Sequence, residues 1–232
     1  MTVAASKARG KLYRIMDFER VVQIFKDESL FFAHPSKWRD PYEVRLQHAK
    51  SRAIFAQCWC QSGISEAMWR IYSPHGLGVR IATTKEKLEA AAETWAHSKG
   101  FHWKGKKVEY EEQATLSARL KEIRDDLATK FVTDRAADAL FLKREAFGHE
   151  DEWRGVIVCN DLSPKGKARP GIAVPVDPHD LIDSILLDPG APAELADALG
   201  HYFTSKLGYG KPVKPSVLYK VPKPIFVDEE DL

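Results

Sequence analysis

Two glutamates one residue apart, Glu150 and Glu152, are the residues of this sequence best placed to do chemistry. They stand in "KREAFGHEDEWRGVIVC" (residues 143–159), directly before an apolar run. Side chains two positions apart on a strand point to the same side, so Glu152 would share a face with Arg154, and Glu150 would join them if the strand begins early enough. Such a carboxylate could stabilise positive charge in a reaction. It could equally form an ion pair with Arg154 that solvates the end of a sheet.

The elements that must position these acids mix strands and helices without regular alternation. The run "WRGVIVC" has no polar alternation in its second half, which predicts a central strand covered on both faces. We therefore expect Ile157 and Val158 both to be buried, with Glu152 at the edge of a cleft. The segment "HWKGKKVEYEE" is interpreted as a hairpin with its turn at Lys104 and Gly105. The pattern favours an α+β fold with a central mixed sheet and flanking helices.

Composition is that of an ordinary globular domain. The chain has 232 residues, of which 44% are hydrophobic, and this is enough for one sizeable core. We expect a single domain over residues 1–232, with a flexible N-terminus (1–10) and an acidic tail (228–232). The 35 basic and 33 acidic residues nearly cancel. A pI of about 8.3 permits an anionic partner but falls short of a dedicated nucleic-acid binder.

Cysteine usage and hydropathy point to the cytoplasm. The three cysteines are an odd number, which argues against a secreted disulfide framework. Cys58 and Cys60 lie too close along one strand face for an unstrained bridge, so we expect them to be reduced and without a metal. Neither a signal peptide nor an apolar run of the roughly 20 residues that span a membrane is recognisable.

Two further segments are candidate ligand sites. Residues 75–78, "HGLG", place His75 beside glycines such as Gly76 that would let backbone approach a ligand, although a tight loop explains them as well. Asp40 and Glu43 in "RDPYE" could bind a divalent ion. Asp-Pro is also a common turn opening.

Several segments resemble one family in the same order and spacing. These are "LYRIM" followed by an amphipathic helix, "LFFAHPSKWRDPYE", "AQCWCQS" with "MWRIYSPHGLGVRI", "VEY", "LKREAFGHEDEWRGVIV" and "IDSILLDPGAP". Together they resemble the bacterial family known only as domain of unknown function 2971, over residues 12–192. That resemblance implies no activity.

A second resemblance is to ADP-ribosyltransferases. Their layout has an opening strand with Arg or His, a middle block with an aromatic or hydroxyl residue, and a late strand marked by Glu-x-Glu. Arg14 in "LYR" would take the first position, Tyr72 or Ser73 in "RIYS" the second, with Ser62 as a rival, and residues 150–152 the third. The resemblance implies a split sheet, NAD as the substrate and an unidentified macromolecular acceptor, of which nucleic acid is one possibility.

The chemistry gives the main residues of this layout a reason. Breaking the nicotinamide-ribose bond builds positive charge on the ribose, which the carboxylate of Glu152 would stabilise. The Arg14 fork would grip ribose or pyrophosphate oxygens. Tyr72 would stack on the nicotinamide ring, and Glu150 would orient or deprotonate the acceptor. The remaining residues of the predicted NAD-binding set are Tyr13, Ser73, His75 and Gly76.

Two alternatives come from other functional classes. A metal-dependent nuclease would gather Asp40, Glu43, Glu150 and Glu152 around magnesium, with Lys143 nearby in the sequence. A non-catalytic nucleic-acid-binding module would use the basic runs "KGFHWKGKK" and "SPKGKARPG", with Trp103 or Phe101 stacking on bases.

Overall fold

The computed structural model describes residues 10–38, 40–48, 50–159 and 169–225. The acidic tail and almost all of the expected flexible N-terminus lie outside these residues, as does most of the basic run "SPKGKARPG". The described residues form a nine-stranded mixed sheet with helices beside it and a separate two-stranded sheet. The predicted α+β class, with its central mixed sheet and flanking helices, is confirmed.

The strands of the described chain are numbered in chain order. They are β1 (Lys11–Asp17), β2 (Ser29–Ala33), β3 (Ile54–Cys60), β4 (Gly78–Thr84), β5 (His102–Lys107), β6 (Glu109–Glu111), β7 (Leu142–Arg144), β8 (Glu152–Val158), β9 (Gly171–Pro175), β10 (Ser184–Leu187) and β11 (Val213–Pro215). The helices are α1 (Phe18–Asp27), α2 (Glu66–Tyr72), α3 (Lys85–Ser98), α4 (Gln113–Thr129), α5 (Thr133–Ala137), α6 (Pro178–Leu181) and α7 (Ala193–His201). None of the described helices combines the length and the apolar character that a membrane crossing requires.

Strand β8 is central, as its sequence predicts. It pairs antiparallel with β3 on one side and with β5 on the other. Ile157 and Val158 are 0% and 1% exposed. They belong to two different core clusters, one on each face of the sheet. The absence of polar alternation in "WRGVIVC" thus reflects burial on both faces.

The sheet splits along one edge of β3. The other edge is paired with β8 over its whole length. On the split edge, β1 joins β3 only through Tyr13 and Cys60, and β2 joins it only through Ala33 and Ala56. Strand β1 instead pairs along its full length with β4. The two arms therefore diverge beside β3 and leave room between β1 and β3.

The predicted turn at Lys104 and Gly105 is wrong, because β5 runs through both residues without reversing. Gly105 faces Gly155 across the strand pair. A Cβ on Gly105 would lie 2.5 Å from the Trp153 ring, so the glycine makes room for an indole instead of a turn. The following strand, β6, pairs in parallel with β7 in the small sheet.

Candidate functional site

Asp151 separates Glu150 from Glu152 and has a left-handed backbone conformation. The 3₁₀ segment Glu145–Glu150 ends at Asp151, whose φ and ψ are 41° and 53°. Non-glycine residues rarely adopt positive φ, and such positions concentrate at functional sites. The turn places Glu150 immediately before β8, and Glu152 begins the strand.

The backbone of Glu152 is held by the neighbouring segment. Its N–H donates to the Tyr110 hydroxyl at 2.8 Å. Its carbonyl accepts from the N–H of Val108 at 2.9 Å, and the carbonyl of Asp151 accepts from the N–H of Gln61 at 2.9 Å. The position of Glu152 is therefore fixed by contacts from outside its own strand.

Four buried charged side chains form a closed square of ion pairs, which is called the charge square: Glu152, Arg154, Glu43 and Lys143. Arg154 Nε donates to Glu152 Oε2 at 2.8 Å, and Arg154 Nη2 contacts Oε2 of both Glu152 and Glu43. Lys143 Nζ lies 3.5 Å from Glu43 Oε1 and 3.6 Å from Glu152 Oε1. All four side chains belong to residues no more than 8% exposed. Each carboxylate thus bridges both cations, and the charges alternate around the square.

Glu150 is a fifth ionisable side chain, next to this square. Its carboxylate contacts Lys143 Nζ, and the residue is buried. Burial raises the pKa of Glu150 to about 7. Burial acts in the same direction on Glu152, but the charges of Arg154 and Lys143 outweigh it and lower the pKa of that carboxyl. The environments push the pKa values of the two acids apart, so that Glu152 is ionised at a pH at which Glu150 still holds a proton.

The ion pair considered from the sequence, Glu152 with Arg154, is present but does not solvate the end of the sheet. Arg154 is 1% exposed. Its Nη1 donates to the carbonyl of Leu140 at 2.6 Å, and the Trp38 ring lies 4.4 Å from its guanidinium carbon. A fully buried pair of this kind leaves an uncompensated charge when one partner is removed.

Glu152 also lines a cavity of about 270 Å³ between β1 and β3. Predicted residues from separate segments meet there: Tyr13 and Arg14 from β1, Tyr72 from the end of α2, and Glu152 from β8. Cys58 lines the same cavity. Burial raises the pKa of its thiol to about 12, so the thiol is protonated at neutral pH.

Arg14 and Tyr72 offer hydrogen-bonding groups to this cavity. Burial lowers the pKa of Arg14, whose charge interacts with Cys58, Tyr72 and Glu152. In the described part of the chain, none of these three side chains forms a hydrogen bond with Arg14. Tyr72 is 39% exposed. Burial of its hydroxyl raises its pKa, so the phenol is neutral and can donate a hydrogen bond.

Four predicted site residues do not line this cavity. The Ser73 hydroxyl donates to Asp188 Oδ2 and accepts from the N–H of Gly78 at 2.8 Å, so it ties two loops together. His75 and Gly76 lie in the turn between α2 and β4, where Gly76 has a φ of 70°. Glu150 is turned toward Lys143.

Each carboxylate of the nuclease hypothesis is already paired with a basic side chain. Asp40 pairs with Arg144 at 2.9 Å and caps the N–H of Tyr42. Glu43, Glu150 and Glu152 are already bound to Lys143 or Arg154. Over residues 10–38, 40–48, 50–159 and 169–225, no three His, Cys, Asp or Glu side chains are placed to hold a metal ion.

The basic run of the nucleic-acid hypothesis is largely neutralised. Lys104 Nζ lies 2.9 Å from Asp134 and 2.6 Å from Asp138. The ring of Trp103 packs edge-on against Phe32. Phe101 packs likewise against Trp95. Each predicted stacking residue thus has an aromatic neighbour, and both also line a cavity of about 690 Å³.

A larger cavity of about 590 Å³ is lined by other residues, among them His34, Glu43, Ile54 and Leu140. It contains none of the predicted NAD-binding residues. Glu43 connects it to Arg154 and so to the charge square.

Sequence reasoning missed the site roles of two residues. Tyr110 lies 42 positions from Glu152, and no local spacing indicates its contact with the Glu152 N–H. Glu43 was considered only as a metal ligand. The signal available for Glu43 was the pair of basic residues, Lys143 and Arg154, on either side of the two acids, since two buried cations need more than one carboxylate partner.

Comparisons with known proteins give one family match and several solved structures. Residues 68–155 match the family model described as protein of unknown function (DUF2971). This part of the chain contains Tyr72, Glu150 and Glu152, and the resemblance noted in the sequence is confirmed over it. Comparison with curated proteins gives no match.

Three of the matching solved structures are complexes of DarT from Thermus sp. 2.9. The complex with carba-NAD⁺ is 11% identical, with a TM-score of 0.41, and the match covers 90% of this chain and 95% of that one. The complex with NAD⁺ has a TM-score of 0.42, 11% identity and coverage of 90% and 96%. The complex with ADP-ribosylated ssDNA has a TM-score of 0.40, 11% identity and coverage of 89% and 93%. A similarity at this level carries no information about what this chain binds.

Proposed function

We propose that this protein is an NAD-dependent enzyme of the ADP-ribosyltransferase kind that modifies a macromolecule. The observation that carries the proposal is the meeting of Arg14, Tyr72 and Glu152 around one cavity. These are the three positions that the ADP-ribosyltransferase layout assigns. They are far apart in the sequence, so local chain geometry does not explain why they lie together.

The cavity suits one end of a dinucleotide. Its volume of about 270 Å³ lies near the lower limit of ordinary ligand pockets, so it would take the nicotinamide and its ribose and leave the remainder outside. Arg14 supplies donors that match ribose or pyrophosphate oxygens in a forked geometry. Tyr72 supplies an aromatic ring with a neutral hydroxyl at the rim.

The state of Glu152 supports a catalytic role. Cleavage of the bond between nicotinamide and ribose develops positive charge on the sugar, and a fixed carboxylate stabilises that charge most when water is excluded. Arg154 and Lys143 keep Glu152 ionised although it is buried. The contact between the Glu152 N–H and Tyr110 fixes the backbone, and the hydrogen bond from Arg154 holds the carboxylate, before substrate arrives.

Glu150 takes a different role from the one expected of it. Because its carboxylate contacts Lys143 and does not line the cavity, it acts through Glu152 and does not deprotonate an acceptor directly. Its pKa of about 7 lets it carry a proton beside Glu152 at neutral pH. The acceptor is a macromolecule whose class this cavity does not specify.

The test is NAD binding and NAD cleavage by the purified chain. Binding is measured by calorimetry with a non-hydrolysable NAD analogue, and cleavage by release of nicotinamide. Glu152→Gln is the decisive variant, and Glu145→Gln is its matched control because Glu145 is an exposed glutamate of the preceding 3₁₀ segment. A wild-type chain that neither binds nor cleaves NAD would reject the proposal.

A further inference from the structure

We infer that Glu43 is a positioning residue that keeps a proton on Glu150 while the neighbouring Glu152 stays ionised. Glu43 belongs to the 3₁₀ segment Pro41–Val44, more than one hundred positions before the acids in the sequence. It nevertheless contacts both cations of the square, Arg154 through Oε2 and Lys143 through Oε1. The inference concerns the charge cluster itself. Only its consequence for catalysis rests on the proposed function.

The buried charges of the ion-paired cluster do not balance. Ion pairs join three acids and two bases in this cluster, and all five residues are buried. The charge of Arg14 acts on Glu152 from outside these ion pairs. The square of Glu43, Arg154, Glu152 and Lys143 is neutral when each group is ionised, so ionising Glu150 adds an uncompensated negative charge. Burying such a charge is costly, so Glu150 keeps its proton to a higher pH than an exposed carboxyl does. The cluster therefore favours one bound proton.

The contacts decide which acid takes the proton. Glu152 interacts with both cations, whereas the ion pairs of Glu150 in the described residues involve Lys143 alone. Glu43 occupies the other sides of both cations, so neither cation is fully available to Glu150. Protonated Glu150 can donate to Glu152, and a hydrogen bond between these side chains contributes to the pKa of each.

The other groups around Glu150 add no charge near neutral pH. They are Tyr110 from β6, Tyr72 from α2 and Cys60 from β3, each of which interacts electrostatically with Glu150. Burial raises the pKa of all three, so they are neutral when Glu150 titrates. The charged groups that act on Glu150 are thus Lys143, Glu152, and Glu43 and Arg154 through the square.

The consequence of removing the Glu43 charge follows directly. In Glu43→Gln the cluster holds two acids and two bases, so Glu150 and Glu152 can both ionise without a net buried charge. Glu150 should then lose its proton at lower pH. In the proposed reaction this change removes the neutral neighbour that keeps the charge concentrated on Glu152, so the dependence of turnover on pH changes together with the titration.

The experiment follows the side-chain carboxyl carbons of ¹³C-labelled glutamate by NMR over a pH series, using the full chain without NAD. In the wild type, one carboxyl should titrate near pH 7, and Glu150→Gln should lack this titration. In Glu43→Gln the midpoint should fall by about one pH unit or more, whereas Glu43→Asp should stay close to the wild type. Lys143→Gln should move the midpoint upward, since it removes a cation.

The results separate this inference from the proposed function. An unchanged midpoint in folded Glu43→Gln overturns the inference, as does a near-neutral titration that persists in Glu150→Gln. If Glu43→Gln does not fold, a midpoint that fails to rise in Lys143→Gln overturns it. Because NAD is absent, a chain that shows the expected titrations but never cleaves NAD supports the inference and rejects only the proposed function.

Discussion

Glu152 Oε2 accepts a hydrogen bond from Arg154 Nε at 2.8 Å, and Arg154 lies two positions further along the same strand. The two side chains share the strand face that also bears Val156 and Val158, which belong to an apolar core cluster. A strand face that is apolar for most of its length thus begins with a buried acid and its cation. This arrangement keeps Glu152 charged at the margin of the cavity between β1 and β3.

Arg14→Lys should weaken binding of NAD. Lysine keeps the positive charge but loses the planar fork, and one lost charge-assisted hydrogen bond of about 1.5 to 3 kcal/mol corresponds to a roughly tenfold to hundredfold weaker Kd. Calorimetry with a non-hydrolysable NAD analogue measures this. Arg70→Lys is the matched control, because Arg70 pairs with Glu66 on the exposed face of α2. Equal Kd values for Arg14→Lys and the wild type would remove Arg14 from the binding site.

Tyr72 should contribute chiefly through its ring. Tyr72→Phe should bind NAD within a few-fold of the wild type, whereas Tyr72→Ala should lose about 1 to 3 kcal/mol of binding free energy if the ring stacks on the ligand. The melting temperature should change little in either variant, because Tyr72 is 39% exposed. Binding by Tyr72→Ala that equals that of the wild type would contradict the stacking role.

Ser73→Ala should reduce stability without affecting NAD binding. Its hydroxyl bridges the N–H of Gly78 and the buried carboxylate of Asp188. Deleting the hydroxyl removes one hydrogen bond from each of these two groups. A loss of about 1 to 3 kcal/mol in the free energy of unfolding is expected, measured by urea titration. A weaker affinity for NAD in a variant of unchanged stability would instead return Ser73 to the binding set.

Glu150 should make stability fall as pH rises toward neutrality. Its pKa is about 7 in the folded chain, above the ordinary value near 4.5 expected after unfolding. The folded state therefore binds the extra proton, and the stabilisation is fully present below about pH 4.5 and is lost as pH rises through 7. Glu150→Gln removes this dependence. Relative to the wild type, the variant should gain a few kcal/mol between pH 5 and pH 8 in urea titrations. Parallel pH profiles would contradict the raised pKa.

The fold and the site differ in how far they follow from local sequence. Burial of Ile157 and Val158 could be predicted, because a strand without polar alternation must be covered on both faces. The continuation of β5 through Gly105 could not be predicted, because a glycine that accommodates Trp153 has the same local signature as a glycine that allows a turn. Ser73 and Tyr72 were equal candidates by position, and only the tertiary contact of Ser73 with Asp188 separates them.

The charge square is the part of the site that sequence spacing could not supply. Glu152 and Arg154 are adjacent on one strand, and their pairing follows from strand geometry. Glu43 reaches them from a short 3₁₀ segment 111 positions from Arg154 in the sequence. Such a contact is decided by how the whole chain packs. The pKa difference between Glu150 and Glu152 comes from burial and from their unequal contacts with Lys143 and Arg154, so the separate roles of the two acids emerge only in the folded structure.

The variant Glu152→Gln tests whether the Glu152 carboxylate drives NAD cleavage. Glutamine keeps the shape of the side chain but removes the charge that the transition state requires, so NAD cleavage should fall roughly 10²-fold to 10³-fold while binding of the non-hydrolysable analogue stays within a few-fold. Because the pair with Arg154 is buried, the melting temperature should also fall, and activity is compared at a temperature where the variant is folded. Glu145→Gln should match the wild type in all three measurements. A folded Glu152→Gln variant that cleaves NAD at the wild-type rate would contradict the account.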